Sequence, residues 1–171
     1  MAHLVALGHA RIGFVAGPRR SWSNRDRLRG LRAASTAAGV ELVEVGNFPP
    51  HFEGGVSAAD LVVATKVTAV IAYNDVVALG LMSRLSARGI AVPDEMSVVG
   101  VDDIAMSAMF TPALTTVAIP KKEAGRAAVE LLLELLENPD SPIPARRKMP
   151  THLLVRQTTG VPRQPRLTTF H

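Results

Sequence analysis

The sequence contains no cysteine, and other features that mark particular protein classes are also scarce. A chain of 171 residues without cysteine has no disulfide framework, no thiolate nucleophile and no cysteine-based metal site. Aromatic residues make up only 4%, so the core must be built from smaller apolar residues. No apolar run reaches the roughly 20 residues of a membrane helix, and residues 1–9 do not read as a signal peptide. We therefore expect a cytoplasmic protein that does not contact membranes.

The composition fits one folded domain with a sizeable core. Hydrophobic residues make up 47% of the chain, far more than a disordered chain carries. The net charge of +4 makes nucleic acid a conceivable partner. The basic residues are scattered, however, and no helix-turn-helix, finger or RNA-binding signature accompanies them. We interpret them as surface groups or ligand contacts.

Strand and helix patterns alternate along most of the chain. Buried-strand patterns cover 11–17, 40–45, 67–73 and 97–101, and helical patterns cover 26–38, 55–65 and 75–88. This order predicts an α/β fold, a parallel sheet with helices on both faces. A strand or crossover at 114–119, a helix from Pro120, a last strand at 151–156 and a frayed tail complete the pattern.

Candidate ligand-binding side chains follow each of the first four predicted strands. Because the carboxyl ends of parallel strands share one edge, these groups can surround one crevice. The candidates are Ser21, Ser23, Arg25 and Arg27 after the first strand, Phe48 after the second, Asn74 and Asp75 after the third, and Asp102 and Asp103 after the fourth.

These groups suit a neutral, polar ligand. Arginine offers a rigid fork of donors, asparagine offers both a donor and an acceptor, aspartate offers acceptors and phenylalanine an apolar wall. Together they favour a sugar with several hydroxyls, or a heterocycle stacked on Phe48. No serine–histidine pair, phosphate loop or dinucleotide fingerprint is present, so we expect no catalytic residue, no metal and no cofactor.

Each candidate also has a structural interpretation. Asp102 can cap a turn, Arg27 can belong to a surface ion pair, and Phe48 can be a core residue. Asn74 or Asp75 must cap the next helix, a role that we assign mainly to Asp75. His9 is expected to be a structural hydrogen-bonding group rather than a metal ligand.

The sequence resembles the effector-binding domain of the lactose-repressor (LacI) family of bacterial transcription regulators over about residues 3 to 158. The resemblance rests on the order and spacing of its motifs, which are 3–9, Arg11-Ile12, 16–18, 27–30, Asn74-Asp75 through 78–80, Val92-Pro93, 97–103, Thr111-Pro112, 114–117 and 153–156.

The resemblance implies a two-lobed domain with a small effector between the lobes, as in periplasmic sugar-binding proteins. Arg27, Asn74 and Asp102 match effector contacts of the family, and Ser23 and Phe48 match less constant contact positions. Residues 1–119 would form the second lobe, 120–150 a first-lobe segment, 151–158 a strand returning to the second lobe, and 159–171 a flexible tail. The resemblance also implies a homodimer whose subunits touch, outside the core, through Leu79, Met82, Met106 and Met109.

The sequence departs from the family in two places. It shows neither the DNA-binding helix-turn-helix nor most of a first lobe, so operator DNA would be bound only by a segment absent from this sequence. The dipeptide Ala118-Ile119 replaces a glutamine that the family commonly has before the proline, so a ligand contact there is not expected.

The helix after Pro120 carries an apolar stripe that the rest of the sequence does not explain. We call this the leucine stripe, defined as Ala124, Ala127, Ala128, Leu131, Leu132, Leu135 and Leu136. The stripe is expected to pack on another copy, to fold onto its own lobe, or to belong to a longer protein.

The leading hypothesis is therefore the effector-sensing part of a LacI-family regulator that binds a sugar or nucleoside-like molecule. A free periplasmic-type sugar-binding protein is the main alternative, and its discriminating feature would be a signal peptide. A small α/β enzyme using Asp75, Asp102 and Asp103 is a third hypothesis, and a bound divalent metal would distinguish it.

Overall fold

The computed structural model describes residues 1–138 and 149–163 and contains six helices and six strands within them. The helices are α1 (Ala2–Ala6), α2 (Trp22–Ala38), α3 (Phe52–Ala64), α4 (Asp75–Ala87), α5 (Ala105–Met109) and α6 (Lys121–Glu137). The strands are β1 (Arg11–Ala16), β2 (Glu41–Asn47), β3 (Ala69–Ala72), β4 (Ser97–Asp102), β5 (Thr115–Ala118) and β6 (His152–Leu154).

The strands form a single sheet in the order β2-β1-β3-β4-β5-β6. The first five strands are parallel, and β6 pairs antiparallel with β5. The carboxyl ends of β1, β2, β3 and β4 therefore share one edge. The α/β prediction is confirmed.

Apolar residues cover both faces of the sheet. On one face, α3 and α4 pack over residues such as Val15, Val70 and Val98. On the other face, Leu4 of α1 packs with Ile12, and Leu28 and Leu31 of α2 lie against the same cluster. We call α1–α5 and the six-stranded sheet together the sheet body.

Two glycines allow α3 and α4 to pack closely. A Cβ atom at Gly55 would lie 2.0 Å from the carbonyl oxygen of Val77, and one at Gly80 would lie 2.0 Å from the carbonyl oxygen of Phe52. Since a backbone atom cannot move aside as a flexible side chain can, only glycine fits at either position.

The amino-terminal ends of α2 and α3 differ from the sequence prediction, whereas α4 begins at Asp75 as predicted. Helix α2 begins at Trp22 rather than at residue 26, because Ser21 caps it by accepting a hydrogen bond from the backbone N–H of Asn24. It ends, as predicted, at Gly39, which has a positive φ of 65°. The short helices α1 and α5 were not predicted, because each has only five residues and shows too little periodicity.

Residues 159–163 do not form the flexible tail that the sequence predicts. The Gly160 carbonyl accepts hydrogen bonds from His9 and from Ser97, and the Gly160 N–H donates to the Ser97 hydroxyl. Arg163 pairs with Glu95. The preceding Thr158 is fully buried and bonds to Val98. The prediction is therefore wrong for this segment, and its remaining part, 164–171, lies outside the described residues.

Helix α6 differs from the sheet body because none of its 17 residues is buried. The expectation that the leucine stripe folds onto its own lobe is therefore wrong. Packing on another copy and membership of a longer protein both stay predictions, and 139–148, which belong to the predicted first-lobe segment, lie outside the described residues. No helix in 1–138 or 149–163 is long and apolar enough to cross a membrane.

Candidate functional site

The structure places the predicted ligand residues at the shared edge of the sheet. Arg27 and Ser23 lie on the first turns of α2, Asn74 is the residue that caps α4, and Asp102 ends β4. Phe48 follows β2, and its N–H donates to the Ala16 carbonyl at the end of β1. The topology thus brings five residues, spread over about half of the chain, to one edge.

Arg27 and Asp102 are in direct contact. The Arg27 Nη2 atom lies 3.5 Å from Asp102 Oδ1, and both side chains are partly exposed. Burial raises the pKa of the Asp102 carboxyl, the positive charge of Arg27 partly offsets this, and the negative charge of Asp75 adds to the rise. The pair therefore presents donors and acceptors side by side at the mouth of the site.

The backbone after β4 separates two neighbouring carboxylates. Asp102 and Asp103 both have positive φ values, 117° and 51°, which are uncommon outside glycine. This turn directs Asp102 toward Arg27, whereas Asp103 Oδ1 accepts a hydrogen bond from Arg156 Nη2 at 2.7 Å. Asp103 is thus engaged with Arg156, whereas Asp102 faces Arg27 at the shared edge of the sheet.

Asn74, rather than Asp75, caps α4. The Asn74 Oδ1 atom accepts from the Val77 N–H at 2.9 Å, and its Nδ2 donates to the Pro50 carbonyl. The expectation that Asp75 mainly caps this helix is wrong. The ligand contact predicted for Asn74 stays a prediction, since its amide keeps one donor and one acceptor position free of these two bonds.

Asp75 connects three elements inside the core. It is fully buried and accepts hydrogen bonds from the Ile104 N–H, the Ser107 hydroxyl and the Thr116 hydroxyl. The carboxylate occupies the space beside Gly100, where a Cβ atom would lie 2.2 Å from Asp75 Oδ1. Because its acceptors are taken by α5 and β5, Asp75 holds the sheet body together rather than facing a ligand or metal.

Two further structural interpretations are resolved. His9 is buried and bonds through its ring nitrogens to Thr68, Ser97 and the Gly160 carbonyl, as predicted for a structural group. Phe48 is half-buried and packs against the core cluster under α3 and α4, so it is at least partly a core residue. Its contact with a ligand stays a prediction.

Tyr73 is a site residue that the sequence prediction missed. It follows β3, lies directly before Asn74, and its ring lies 4.7 Å from the Arg27 guanidinium. Its hydroxyl lies 3.1 Å from Ser21 Oγ and 2.9 Å from Ser23 Oγ. The available signal was the position of the chain's only tyrosine at a strand end, between an apolar strand and the Asn-Asp pair.

The predicted subunit-contact residues fall into two pairs. Leu79 and Met82 are only 2% and 3% exposed and belong to the core cluster, so the prediction that they lie outside the core is wrong. Met106 and Met109, on α5, are 52% and 79% exposed. Their role between subunits stays a prediction.

An apolar groove of about 430 Å³ lies beside the polar edge. Its walls include Leu4, Ile71, Val101 and Leu153, and Arg27 lies where the groove meets the site. The lining is mostly apolar and also includes the polar side chains of His3, Asp26 and Thr151. Among the described residues, no group of three or more histidine, cysteine or acidic side chains could hold a metal ion.

Comparison with known proteins agrees with this architecture. The model of the periplasmic binding protein-like domain matches residues 1–159. The HTH-type transcriptional repressor PurR of Vibrio cholerae serotype O1 (strain M66-2) is 39% identical over 140 residues. The chain belongs to the LacI family of periplasmic binding protein-like, effector-binding domains. The PurR repressor of Photobacterium profundum is 34% identical to this LacI-family domain over 142 residues.

Solved LacI-family structures share the fold. A regulator from Enterococcus faecium with bound ribose superimposes with a TM-score of 0.86 at 28% identity, covering 94% of this chain and 60% of that one. The CelR–cellobiose complex gives 0.83 at 32% identity, covering 91% and 49%. The alignment with the Vibrio cholerae repressor covers 80% of this LacI-family domain but only 42% of that relative. The chain thus spans less than half the length of that relative.

Proposed function

We propose that this LacI-family domain senses a small, neutral, polyhydroxylated effector, with Arg27, Asn74, Asp102 and Ser23 as polar contacts and Phe48 as an apolar wall. The proposal rests mainly on the Arg27–Asp102 pair at the shared edge of the sheet. The ribose-bound and cellobiose-bound relatives support it.

The pair favours a ligand that carries both donors and acceptors. A vicinal diol can donate one hydroxyl to Asp102 and accept from Arg27 with the other, so neither charge loses its partner. A simple anion would satisfy Arg27 but would lie close to the Asp102 carboxylate. We therefore favour a sugar, or the ribose part of a nucleoside-like molecule, over an anionic ligand.

In the whole regulator, effector binding would shift the equilibrium between DNA-binding and non-binding states. Operator DNA would be bound by a helix-turn-helix outside this chain, in a cytoplasmic homodimer that uses the exposed Met106 and Met109. The relatives are repressors, and we propose that this domain likewise has no catalytic activity.

Nuclear magnetic resonance titration with D-ribose and cellobiose tests the ligand class. Because this chain carries the polar contacts of one side only, we expect weak binding, with amide shifts concentrated at Arg27, Asn74 and Asp102. Asp102→Ala should abolish those shifts. Asp94→Ala is the matched control, since Asp94 is exposed before β4, away from the carboxyl ends of the strands.

Two results would contradict the proposal. One is saturable sugar binding that Asp102→Ala leaves unchanged, which would refute the assigned site. The other is the absence of any sugar-dependent shift in the wild-type chain at high sugar concentration, which would refute the ligand class for this chain.

A further inference from the structure

Tyr73 contacts several of the polar groups that form the site. Its ring, its hydroxyl and its backbone carbonyl each have a different partner. The ring faces the Arg27 guanidinium, the hydroxyl meets Ser21 and Ser23, and the carbonyl accepts a hydrogen bond from Arg27 Nη1. One residue thus touches both the arginine and the hydroxyl groups proposed to meet the ligand.

The ring of Tyr73 is fixed against the backbone that follows β1. A Cβ atom at Gly17 would lie 2.5 Å from the nearest ring carbon, so the ring occupies space that only a glycine leaves open. The Gly17 N–H donates to Asn24 Oδ1 at 2.8 Å, and Asn24 is buried in the first turn of α2. The loop, the ring and the start of α2 therefore pack as one unit.

Arg27 is held by Tyr73 more closely than by Asp102. The carbonyl and the ring of Tyr73 contact the guanidinium from two directions. The distance of 3.5 Å to Asp102 exceeds the 2.7–2.9 Å typical of a charge-assisted hydrogen bond. The Tyr73 carbonyl is thus the nearer partner of the guanidinium, and the longer distance to Asp102 leaves Arg27 donors for a ligand.

Three hydroxyl groups form a closed triangle beside this arginine. The Tyr73 hydroxyl lies 2.9 Å from Ser23 Oγ and 3.1 Å from Ser21 Oγ, and the two serine oxygens are 2.9 Å apart. A hydroxyl donates once and accepts twice, so Ser23 and Tyr73 each retain an acceptor position after the triangle forms, whereas that of Ser21 is taken by the Asn24 N–H. The triangle can therefore meet a ligand hydroxyl without losing an internal bond.

From these contacts we propose that Tyr73 is the positioning residue of the effector site, which it prepares by fixing Arg27 and the Ser21–Ser23 pair before a ligand arrives. The effector-binding role in this inference rests on the proposed function. The contacts of Tyr73 with Arg27, Ser21 and Ser23, however, are present without a ligand. A site whose donors and acceptors are already fixed binds its ligand more tightly, because its side chains lose less conformational entropy on binding.

The experiment uses the fact that Tyr73 is the only tyrosine in the chain. Its ionisation can be followed in the ligand-free protein by the ultraviolet absorbance of tyrosinate. Burial of the Tyr73 phenol acts to raise its pKa, but hydrogen bonds to Ser21 and Ser23 and the charge of Arg27 outweigh this and lower the pKa. Both Arg27→Gln and the Ser21→Ala/Ser23→Ala double variant should therefore raise the pKa of Tyr73.

Arg29→Gln is the matched control, because Arg29 is an exposed arginine two residues later on the same helix. It removes the same charge and should leave the tyrosine titration almost unchanged. Nitrogen relaxation of the Arg27 side chain gives a second readout: Tyr73→Leu should increase its mobility, whereas Tyr73→Phe, which keeps the ring, should not. A tyrosine titration that Arg27→Gln does not move, or an Arg27 equally rigid in Tyr73→Leu, would overturn the proposal.

A ligand titration then separates this proposal from the proposed function. If D-ribose shifts the wild-type signals, Tyr73→Phe should weaken binding by about fivefold, the effect of one hydrogen bond. Unchanged ribose affinity in Tyr73→Phe and Tyr73→Leu would overturn the positioning role. If ribose and cellobiose leave the wild type unchanged, the proposed ligand class fails, while the ligand-free titration still decides whether Tyr73 positions Arg27.

Discussion

Leu81 and Leu132 are both helical leucines, yet their surroundings differ completely. Leu81 of α4 is fully buried between α3 and the sheet, whereas Leu132 of α6 is 57% exposed. The same contrast holds for the elements as a whole, because α4 has eight buried residues and α6 has none. Two helices that both carry several leucines thus differ in whether the described chain supplies a surface to cover them.

This contrast separates the part of the chain that buries its own apolar side chains from the part that does not. The sheet body encloses its own core and brings Arg27, Tyr73, Asn74 and Asp102 to one edge. Helix α6 presents a leucine stripe that no described part of the chain buries. We therefore expect the sheet body to fold as one unit, with the proposed ligand contacts at its shared edge, whereas the described residues do not bury α6.

Truncating one leucine in each helix should give the largest difference between the two regions. Leu81→Ala should lower the free energy of unfolding by about 2–5 kcal/mol, because it leaves a cavity in the core. Leu132→Ala should change it by less than about 0.5 kcal/mol, as expected for an exposed residue. Urea denaturation of both variants measures the comparison, and a large effect of Leu132→Ala would show that the leucine stripe is covered.

Adding a methyl group at one glycine in each region should give the next largest difference. Gly55→Ala forces α3 away from the Val77 carbonyl of α4 and should cost about 1–3 kcal/mol. Gly125→Ala meets no atom within 4 Å and replaces glycine inside a helix, which should favour local helix formation by about 1 kcal/mol.

Thermal unfolding and backbone chemical shifts measure the two glycine effects separately. We expect a lower melting temperature for Gly55→Ala, and more helical shifts in 121–137 for Gly125→Ala without a change in melting temperature. A destabilised Gly125→Ala variant would mean that another molecule packs against α6 at that point.

Acidification should affect the sheet body by a smaller amount. Burial lowers the pKa of His9, against the opposing effect of its bond to the Gly160 carbonyl, so the folded state disfavours the proton that the unfolded state binds below about pH 6.5. Stability from neutral His9 is therefore present above that pH and is lost as the pH falls through the folded pKa.

Urea midpoints between neutral and mildly acidic pH measure this effect. We expect a fall for the wild type and a smaller fall for His9→Gln. A midpoint that does not change with pH in the wild type would disprove the role of His9.

The sequence predicted the sheet body well because its signals are local. The apolar strand at 97–101, the stop at Gly39 and the polar residues at strand ends are all readable without neighbours, and the parallel sheet follows from their order. The resemblance to the LacI family was carried by the same segments, and it was confirmed.

Features that depend on tertiary packing were not predictable in this way. The sequence pattern around Leu79 and Met82 is the same whether the core or a second subunit buries them. Which side of α4 is buried depends on how α3 packs across it. Asp75 and Asn74 are adjacent, so only the fold shows which one caps the helix. The same holds for Tyr73, whose partners on α2 lie about fifty residues away.

Hydrogen exchange of the wild-type chain, followed by mass spectrometry over a range of protein concentrations, tests the contrast most directly. The account predicts strong protection of the β3 and β4 amides, governed by global unfolding, and fast exchange throughout 121–137. Protection of α6 as strong as that of β4 at every concentration would contradict it, because the helix would then be covered by the chain's own residues.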